Sequence, residues 1–288
     1  MAAHRPRGRV PLVTLTTDIG AAYAAQMKAV LARLLPPGHV VDLAHDLPPH
    51  AIAEAAFLLR AMAVGFPAGT VHVAVVDPGV GSARAPIVVR CRDGSVLVGP
   101  DNGVLDPLAR ALGDGRTYRI APERLATPPR VGATFDGRDV FAWAAGAIAL
   151  GRPASALGPG QTRRRLELPR PRRRPHGADG EVLHADRFGN LVSNVPTDWL
   201  PHGARTVRVT VGRAPARSLR VVTHYAALGA GRLGVVGSSF GLLELARSGA
   251  SAAARLRAGA GTPVRFRWLS SGADAPHTVN SAPSRRRA

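Results

Sequence analysis

Residues 70–84 read TVHVAVVDPGVGSAR. The first seven form an apolar run suited to a buried strand, and Asp77 with the glycines after it marks the carboxyl end of that strand. From residue 10 to about residue 157, similar runs alternate with helical patterns. In residues 51–64, for example, apolar side chains recur every three or four positions. This alternation predicts an N-terminal three-layer α/β domain with a largely parallel sheet.

The chain changes character at residues 161–175, QTRRRLELPRPRRRP, where prolines and arginine clusters favour a linker. Beyond it, strand-length apolar runs separated by glycine-rich turns predict a smaller C-terminal domain resembling a β-barrel, with one helix-like stretch at residues 241–248. The last residues have little to bury and indicate a disordered tail. We therefore expect an α/β domain over 10–160, a linker over 161–175, a β domain over 176–270 and a tail over 271–288.

The net charge of the chain is +19 at pH 7, a value that usually suggests a polyanionic partner. Most of this charge, +12, lies in residues 1–9, 163–174 and 285–287. Lys28 is the single lysine, so the excess of arginine is better explained by a compositional bias than by recognition of phosphates. The pattern argues against specific nucleic-acid binding and leaves polyanion binding through the linker as a lesser alternative.

The single cysteine, Cys91, excludes an intrachain disulfide and a site made of several thiolates. The longest apolar stretch, residues 140–151, is too short to span a membrane and predicts a buried helix. The apolar run at residues 10–15 is also too short for the core of a signal peptide. These features favour a cytoplasmic protein without a membrane segment.

Four aspartates stand where apolar runs end: Asp18, Asp77, Asp101 and Asp136. The carboxyl ends of strands in an α/β sheet open into the ligand crevice. A carboxylate there can accept hydrogen bonds from both vicinal hydroxyls of a ribose. The alternative is that these residues only build turns and helix caps.

The order and spacing of several motifs resemble the S-adenosyl-L-methionine hydroxide adenosyltransferases, hydrolases related to fluorinating and chlorinating enzymes. The resemblance covers residues 10 to about 268, and its most specific motifs are VVDPGVG, PDNGVL and DRFGN. It implies an enzyme in which water or hydroxide attacks the ribose 5′ carbon of S-adenosyl-L-methionine and releases adenosine and L-methionine. Such a reaction requires no metal and no organic cofactor, because a sulfonium is already a good leaving group.

The resemblance assigns catalysis to Asp77 and Arg84, which match the pair of residues that handles water in this family. Arg84 would stabilise hydroxide character, and Asp77 would orient the nucleophile. Asp136 stands where the family has a histidine. It could replace that histidine as proton acceptor, or it could point away or merely cap the following helix. Two aspartates beside one water would repel each other unless Arg84 compensates.

For the substrate, the resemblance places Asp18 on the ribose hydroxyls. It assigns Asp186, Phe188 and Asn190 to the methionine amine and the adenine, and Ser239 to the methionine carboxylate, with Glu244 as a weaker candidate. It also implies a homotrimer whose sites lie between the α/β domain of one subunit and the β domain of the next. A histidine at position 50 is interpreted as a surface residue.

Two other functions stay open at this stage. The first is a halogenase, which the charged residues Asp77 and Arg84 disfavour because a halide site does not tolerate a nearby carboxylate. The second is a protein that binds adenosine or S-adenosylmethionine and has lost catalysis together with the histidine.

Overall fold

The computed structural model describes residues 10–127 and 132–268. The chain divides into two compact units after Leu168, within the segment interpreted as a linker. The predicted tail, 271–288, and the terminal arginine clusters lie outside the described residues. No helix in the described ranges is long and apolar enough to cross a membrane.

A seven-stranded sheet forms the centre of the N-terminal unit, in the order β2-β1-β3-β5-β4-β6-β7. The first four strands of that order are parallel, and the next three pair antiparallel, so the predicted mostly parallel sheet is confirmed. The strands are β1 (Val13–Thr17), β2 (Val40–Ala44), β3 (Val71–Val75), β4 (Pro86–Cys91), β5 (Val96–Pro100), β6 (Gly115–Arg119) and β7 (Gly160–Gln161).

Helices form the two outer layers of this unit. Helices α1 (Gly20–Leu34) and α4 (Ala142–Ala149) pack against each other, as do α2 (Ile52–Ala63) and α3 (Asp106–Ala111). Val13 and Leu15 of β1 are fully buried in one core cluster with residues of α1 and α4. The helix pattern of residues 51–64 is borne out by α2, and the apolar stretch after residue 140 forms α4 behind a π-helical turn at Gly137–Phe141.

The C-terminal unit is a closed seven-stranded β-barrel. Pairing between β9 (Gly177–Ala185) and β10 (Leu191–Pro196) closes the ring. An additional short strand, β8 (Arg172–Arg174), pairs with β9 outside the ring. Valines and Phe266 fill the interior. Its elements are β8 (Arg172–Arg174), β9 (Gly177–Ala185), β10 (Leu191–Pro196), β11 (Thr206–Val211), β12 (Arg217–Val222), β13 (Leu233–Gly237), β14 (Leu242–Arg247), the short helix α5 (Ala252–Leu256) and β15 (Pro263–Trp268).

The helix-like interpretation of residues 241–248 is wrong, because this segment forms β14. Leu243 and Leu245 of β14 belong to the barrel core. Ala246, the next residue of the same strand, is buried in a second apolar cluster. Because β14 is buried on both faces, its apolar residues do not alternate with exposed polar ones, and local periodicity cannot distinguish such a strand from a buried helix. Pairing with β10 on one side and β13 on the other decides the conformation.

The arginine-rich segment is more ordered than its composition suggests. Arg163 bonds through Nε to Asp106 (2.9 Å) and through Nη2 to Asp114 (2.7 Å), and Arg165 Nη1 lies 3.0 Å from Asp106. Asp106 is fully buried, so these cations compensate a carboxylate that water does not reach. At the other end of the segment, Arg172–Arg174 form β8, contrary to the expectation that the prolines and arginines would interrupt regular structure.

We predict that His72 makes the stability of the protein fall on acidification. This β3 residue is 1% exposed, its Nδ1 lies 2.8 Å from Thr14 Oγ1, and burial lowers its pKa to about 4. Between about pH 6.5 and pH 4 the unfolded chain binds a proton that the folded protein does not, so folding becomes less favourable as the pH falls. The loss should be about 2 kcal/mol between pH 7 and pH 5.

Urea unfolding at pH 7 and pH 5 measures this effect, with His72→Asn as the matched variant. The amide can still bond to Thr14, but it does not titrate, so its stability should depend less on pH. Equal pH dependence in the two proteins would contradict the assignment to His72.

Candidate active site

Asp77 and Arg84 are joined by a tight turn at the end of β3. The turn closes with a bond from the Val80 amide to the Asp77 carbonyl (3.2 Å). Glycine at position 79 leaves room for the arginine, because a Cβ there would lie only 3.1 Å from Arg84 Cγ. Behind the turn, Asn102 donates from Nδ2 to the Val76 carbonyl (2.8 Å). The turn therefore folds the arginine back onto the aspartate seven residues before it.

The guanidinium of Arg84 binds two carboxylates. Its Nε donates to Asp77 Oδ1 (2.9 Å), and its Nη2 donates both to Asp77 Oδ2 and to Asp136 Oδ2, the latter at 2.6 Å. The three side chains are only 5–13% exposed. Burial by itself would lower the pKa of Arg84, but the hydrogen bonds to both aspartates outweigh it and raise the pKa. The sequence expectation that Arg84 must compensate two neighbouring aspartates is therefore met in the geometry.

Asp136 precedes the π-helical turn and makes no side-chain capping bond to it. Its carboxylate reaches Arg84, 52 residues away in the chain, so the alternative in which it merely caps the helix does not describe this structure. Gly137 permits the arrangement, because a Cβ there would lie 2.9 Å from the Phe135 ring and 3.1 Å from Met27 Sδ.

Three of the four predicted aspartates, Asp18, Asp77 and Asp136, line one cleft of about 250 Å³. The expectation that Asp136 ends a strand is wrong, because residues 132–135 form no strand and Asp136 stands at the start of a helical turn. Asp18 accepts a hydrogen bond from the backbone amide of His50 (2.9 Å), which also lines the cleft. The fourth, Asp101, is not among the lining residues. It accepts bonds from the Arg164 amide (2.7 Å) and Gln161 Nε2 (3.1 Å), which is a structural role.

The barrel carries a second cavity of about 570 Å³, lined by Asp186, Phe188 and Asn190 together with Tyr225. Asp186 accepts bonds from the amides of Phe188 (2.9 Å) and Asn190 (2.8 Å) and from Asn190 Nδ2 (2.9 Å). It thus shapes its own loop, in which Phe188 is 71% exposed. The Arg187 guanidinium lies over one face of this ring, with Cζ 6.0 Å from the centroid, and the other face is available for stacking.

Glu244 is 3% exposed and accepts a hydrogen bond from the Tyr225 hydroxyl (2.9 Å). Burial and the negative charge of Asp186 raise the pKa of Glu244. Ser239 lies elsewhere, in the turn between β13 and β14, whereas Arg247 and Ser248 at the far end of β14 line the cavity. The structure does not bring Ser239 together with the other barrel residues.

Sequence reasoning missed two residues that line these cavities. His50 is exposed, as expected for a surface residue, but its backbone has a φ of 65° and its amide binds Asp18 at the cleft. The HDLPPHA segment shows no local signal for that conformation. Tyr225 lies in a short 3₁₀ turn whose sequence has no pattern that marks a cavity.

The described residues include no group of three or more His, Cys, Asp or Glu side chains arranged to hold a metal ion. The Cys91 thiol is buried, and burial raises its pKa to about 12, so it is not a reactive thiolate.

An α/β unit with a buried carboxylate–guanidinium–carboxylate group, followed by a β-barrel, defines the class of this protein. Residues 13–158 match the SAM hydroxide adenosyltransferase N-terminal domain, and residues 180–265 match the C-terminal domain of the same family. The chain belongs to the SAM hydroxide adenosyltransferase family.

Individual relatives agree with this membership. An (R)-S-adenosyl-L-methionine hydrolase of Salinispora tropica is 40% identical over 248 residues, covering 84% of this chain and 92% of the relative. A fluorinase of Nocardia brasiliensis is more distant, at 26% identity over 302 residues, covering 90% of this chain and 98% of the relative. The crystal structure of an uncharacterized conserved protein from Thermotoga maritima superposes with a TM-score of 0.81 at 31% identity, covering 89% of this chain and all of that one.

We predict that Arg84→Met destabilises the protein by about 3–5 kcal/mol at pH 7, because it leaves two carboxylates buried without their cation. Arg138→Met is the matched control. Arg138 also forms a short ion pair, with Asp139 (2.6 Å), but is 29% exposed, so the loss should stay within about 1 kcal/mol. Urea unfolding of the two variants checks this, and equal losses would show that Arg84 does not compensate the buried carboxylates.

Proposed function

We propose that this protein hydrolyses S-adenosyl-L-methionine to adenosine and L-methionine by attack of water on the ribose 5′ carbon. The observation that carries the proposal is the contact of Arg84 with both Asp77 and Asp136 beside a cleft that also contains Asp18. Membership of the family and the hydrolase name of the Salinispora relative support it.

The charge of the cleft suits this substrate. Three aspartates against the single positive charge of Arg84 leave the local group with two negative charges at neutral pH. A sulfonium cation is attracted to such a site, and a halide is repelled. This favours hydrolysis over the halogenase alternative.

The chemical step needs few groups. The oxygen of water forms a bond to the 5′ carbon, the bond from that carbon to sulfur breaks, and the electron pair stays on sulfur as methionine leaves. The water loses one proton, which a carboxylate in the cleft can accept. No general acid is required, because the leaving thioether is neutral.

We assign the nucleophile to the Asp77, Arg84 and Asp136 group. The carboxylate bonds engage Nε and Nη2 of Arg84, so Nη1 is the nitrogen we assign to the water and its developing negative charge. Asp77 orients the guanidinium, and Asp136 takes the proton in place of the family's histidine. The shared guanidinium allows two carboxylates to stand beside one water.

We assign substrate binding to the remaining predicted residues. Asp18 is placed on the ribose hydroxyls. In the barrel cavity, Phe188 stacks on the adenine, while Asp186 and Asn190 bind polar groups of the substrate. Ser239 stays assigned to the methionine carboxylate and Glu244 to a supporting position behind Tyr225, with which it shares a hydrogen bond.

We further propose that the protein is a cytoplasmic homotrimer that uses no metal or organic cofactor. In that assembly the cleft of one subunit and the barrel cavity of the next would together form each site, as the family resemblance implies. The involvement of Arg163 and Arg165 in bonds to Asp106 supports the view that the linker does not serve to bind nucleic acid.

We predict that the purified protein converts S-adenosyl-L-methionine to adenosine and methionine in the presence of a chelator. In oxygen-18 water, mass spectrometry should find the label in the 5′ hydroxyl of adenosine. Unlabelled adenosine would contradict direct attack by water, and 5′-chloro-5′-deoxyadenosine formed in chloride would identify a halogenase. Binding without any product would leave only a binding protein.

We predict that Asp136→Asn lowers turnover by about 100-fold or more, because the amide keeps the size of the side chain but cannot accept the proton. Adenosine affinity should change little. Asp101→Asn is the control, since Asp101 is also a carboxylate that accepts hydrogen bonds but does not line the cleft. Steady-state kinetics and calorimetry measure both variants. An Asp136→Asn protein that keeps most of its turnover would restrict the water-handling group to Asp77 and Arg84.

A further inference from the structure

Asp18 is held in place by contacts of Thr17, which precedes it, and of Gly20, which follows two residues later. Thr17, the last residue of β1, contacts the His45 ring, with 2.9 Å between Oγ1 and Nδ1. Gly20, the first residue of α1, donates its amide to the His45 carbonyl (2.9 Å). The segment that starts at His45 ends at His50, whose amide binds the Asp18 carboxylate itself. One short loop therefore fixes both the backbone and the side chain of Asp18.

The other side of the His45 ring faces an ion pair. Its Nε2 lies 3.0 Å from Asp42 Oδ1, and Asp42 Oδ2 accepts a hydrogen bond from Lys28 Nζ of α1 (2.8 Å). The contact with Asp42 is one of ion-pair distance, and Nε2 makes no hydrogen bond in the described structure, so the hydrogen bond that anchors the ring is the one between Nδ1 and Thr17 Oγ1.

We infer that His45, through its bond to Thr17, is a positioning residue for Asp18, the carboxylate assigned to the ribose. This rests on the proposed function, because it assumes that Asp18 binds the ribose. Thr17 is fully buried and the His45 side chain is 12% exposed, so neither reaches the ligand directly in this role. They act by holding the end of β1 in the one position from which Asp18 enters the cleft.

The same strand contains a natural control. Thr14 is also fully buried and also contacts a histidine Nδ1, that of His72, at 2.8 Å. This pair lies three residues earlier on β1, away from the residues that line the cleft. Removing either hydroxyl costs one buried hydrogen bond to an imidazole, but only the bond of Thr17 adjoins Asp18.

The experiment compares Thr17→Val, Thr17→Ser and Thr14→Val in the full-length protein. Calorimetry measures adenosine binding, and thermal unfolding measures stability. Both valine variants should lower the melting temperature. Thr17→Val should weaken adenosine binding by about fivefold or more, as expected for one hydrogen bond, whereas Thr14→Val should leave it within about twofold. Thr17→Ser, which keeps the hydroxyl, should restore binding.

Equal losses of binding in the two valine variants would mean that β1 is weakened as a whole and would overturn the inference. Unchanged binding in Thr17→Val would overturn it as well. Hydrogen exchange of the ligand-free proteins gives a second test that needs no ligand: the amides of residues 18–20 and 50–52 should exchange faster in Thr17→Val than in Thr14→Val. If the wild type does not hydrolyse S-adenosyl-L-methionine, the proposed function is wrong but the inference on His45 is not yet contradicted. Hydrogen exchange then still tests whether the contact between Thr17 and His45 holds Asp18 in place.

Discussion

The site depends on the bidentate ion pair between Arg84 and Asp77, in which the same guanidinium also binds Asp136. Two buried carboxylates this close are tolerable only with a cation between them. The guanidinium is suited to this task because its planar set of N–H donors can bond to both at once, which a lysine ammonium does less well. The tight DPGVG turn, the absence of a Cβ at Gly79 and the π-helical turn after Asp136 all serve that contact.

Much of the architecture was predictable from the sequence, because buried apolar side chains recur at a spacing that is typical of each kind of element. The three- and four-residue spacing of 51–64 gave α2, and the apolar run before Asp77 gave β3. The pairing of Asp77 with Arg84 was implied by the resemblance of the VVDPGVG motif to the family. The antiparallel half of the first sheet was not predicted in this way, because the direction in which β4 pairs depends on β5 and β6 and not on its own residues.

Other features could not be predicted because they depend on residues far apart in the chain or on backbone conformation. The contact between Arg84 and Asp136 spans 52 residues and has no periodic signature, so only the family resemblance suggested that the two side chains would meet. The approach of His50 to Asp18 requires a positive φ in a residue that is not glycine, which no local pattern indicated. The strand character of β14 comes from its two neighbours in the barrel. These are the places where tertiary contacts override local preference.

The arginines of β8 affect the solubility of the protein, because they form an edge strand. The other seven strands of the barrel close on one another, so within the described part of the C-terminal unit β8 is the strand with an open side. An open side is where a foreign strand can add and start aggregation, and positive charge along it opposes the approach of an identical edge. Three consecutive arginines occupy this position. The composition that raises the isoelectric point of the chain thus also opposes the pairing of this barrel edge with a second copy of itself.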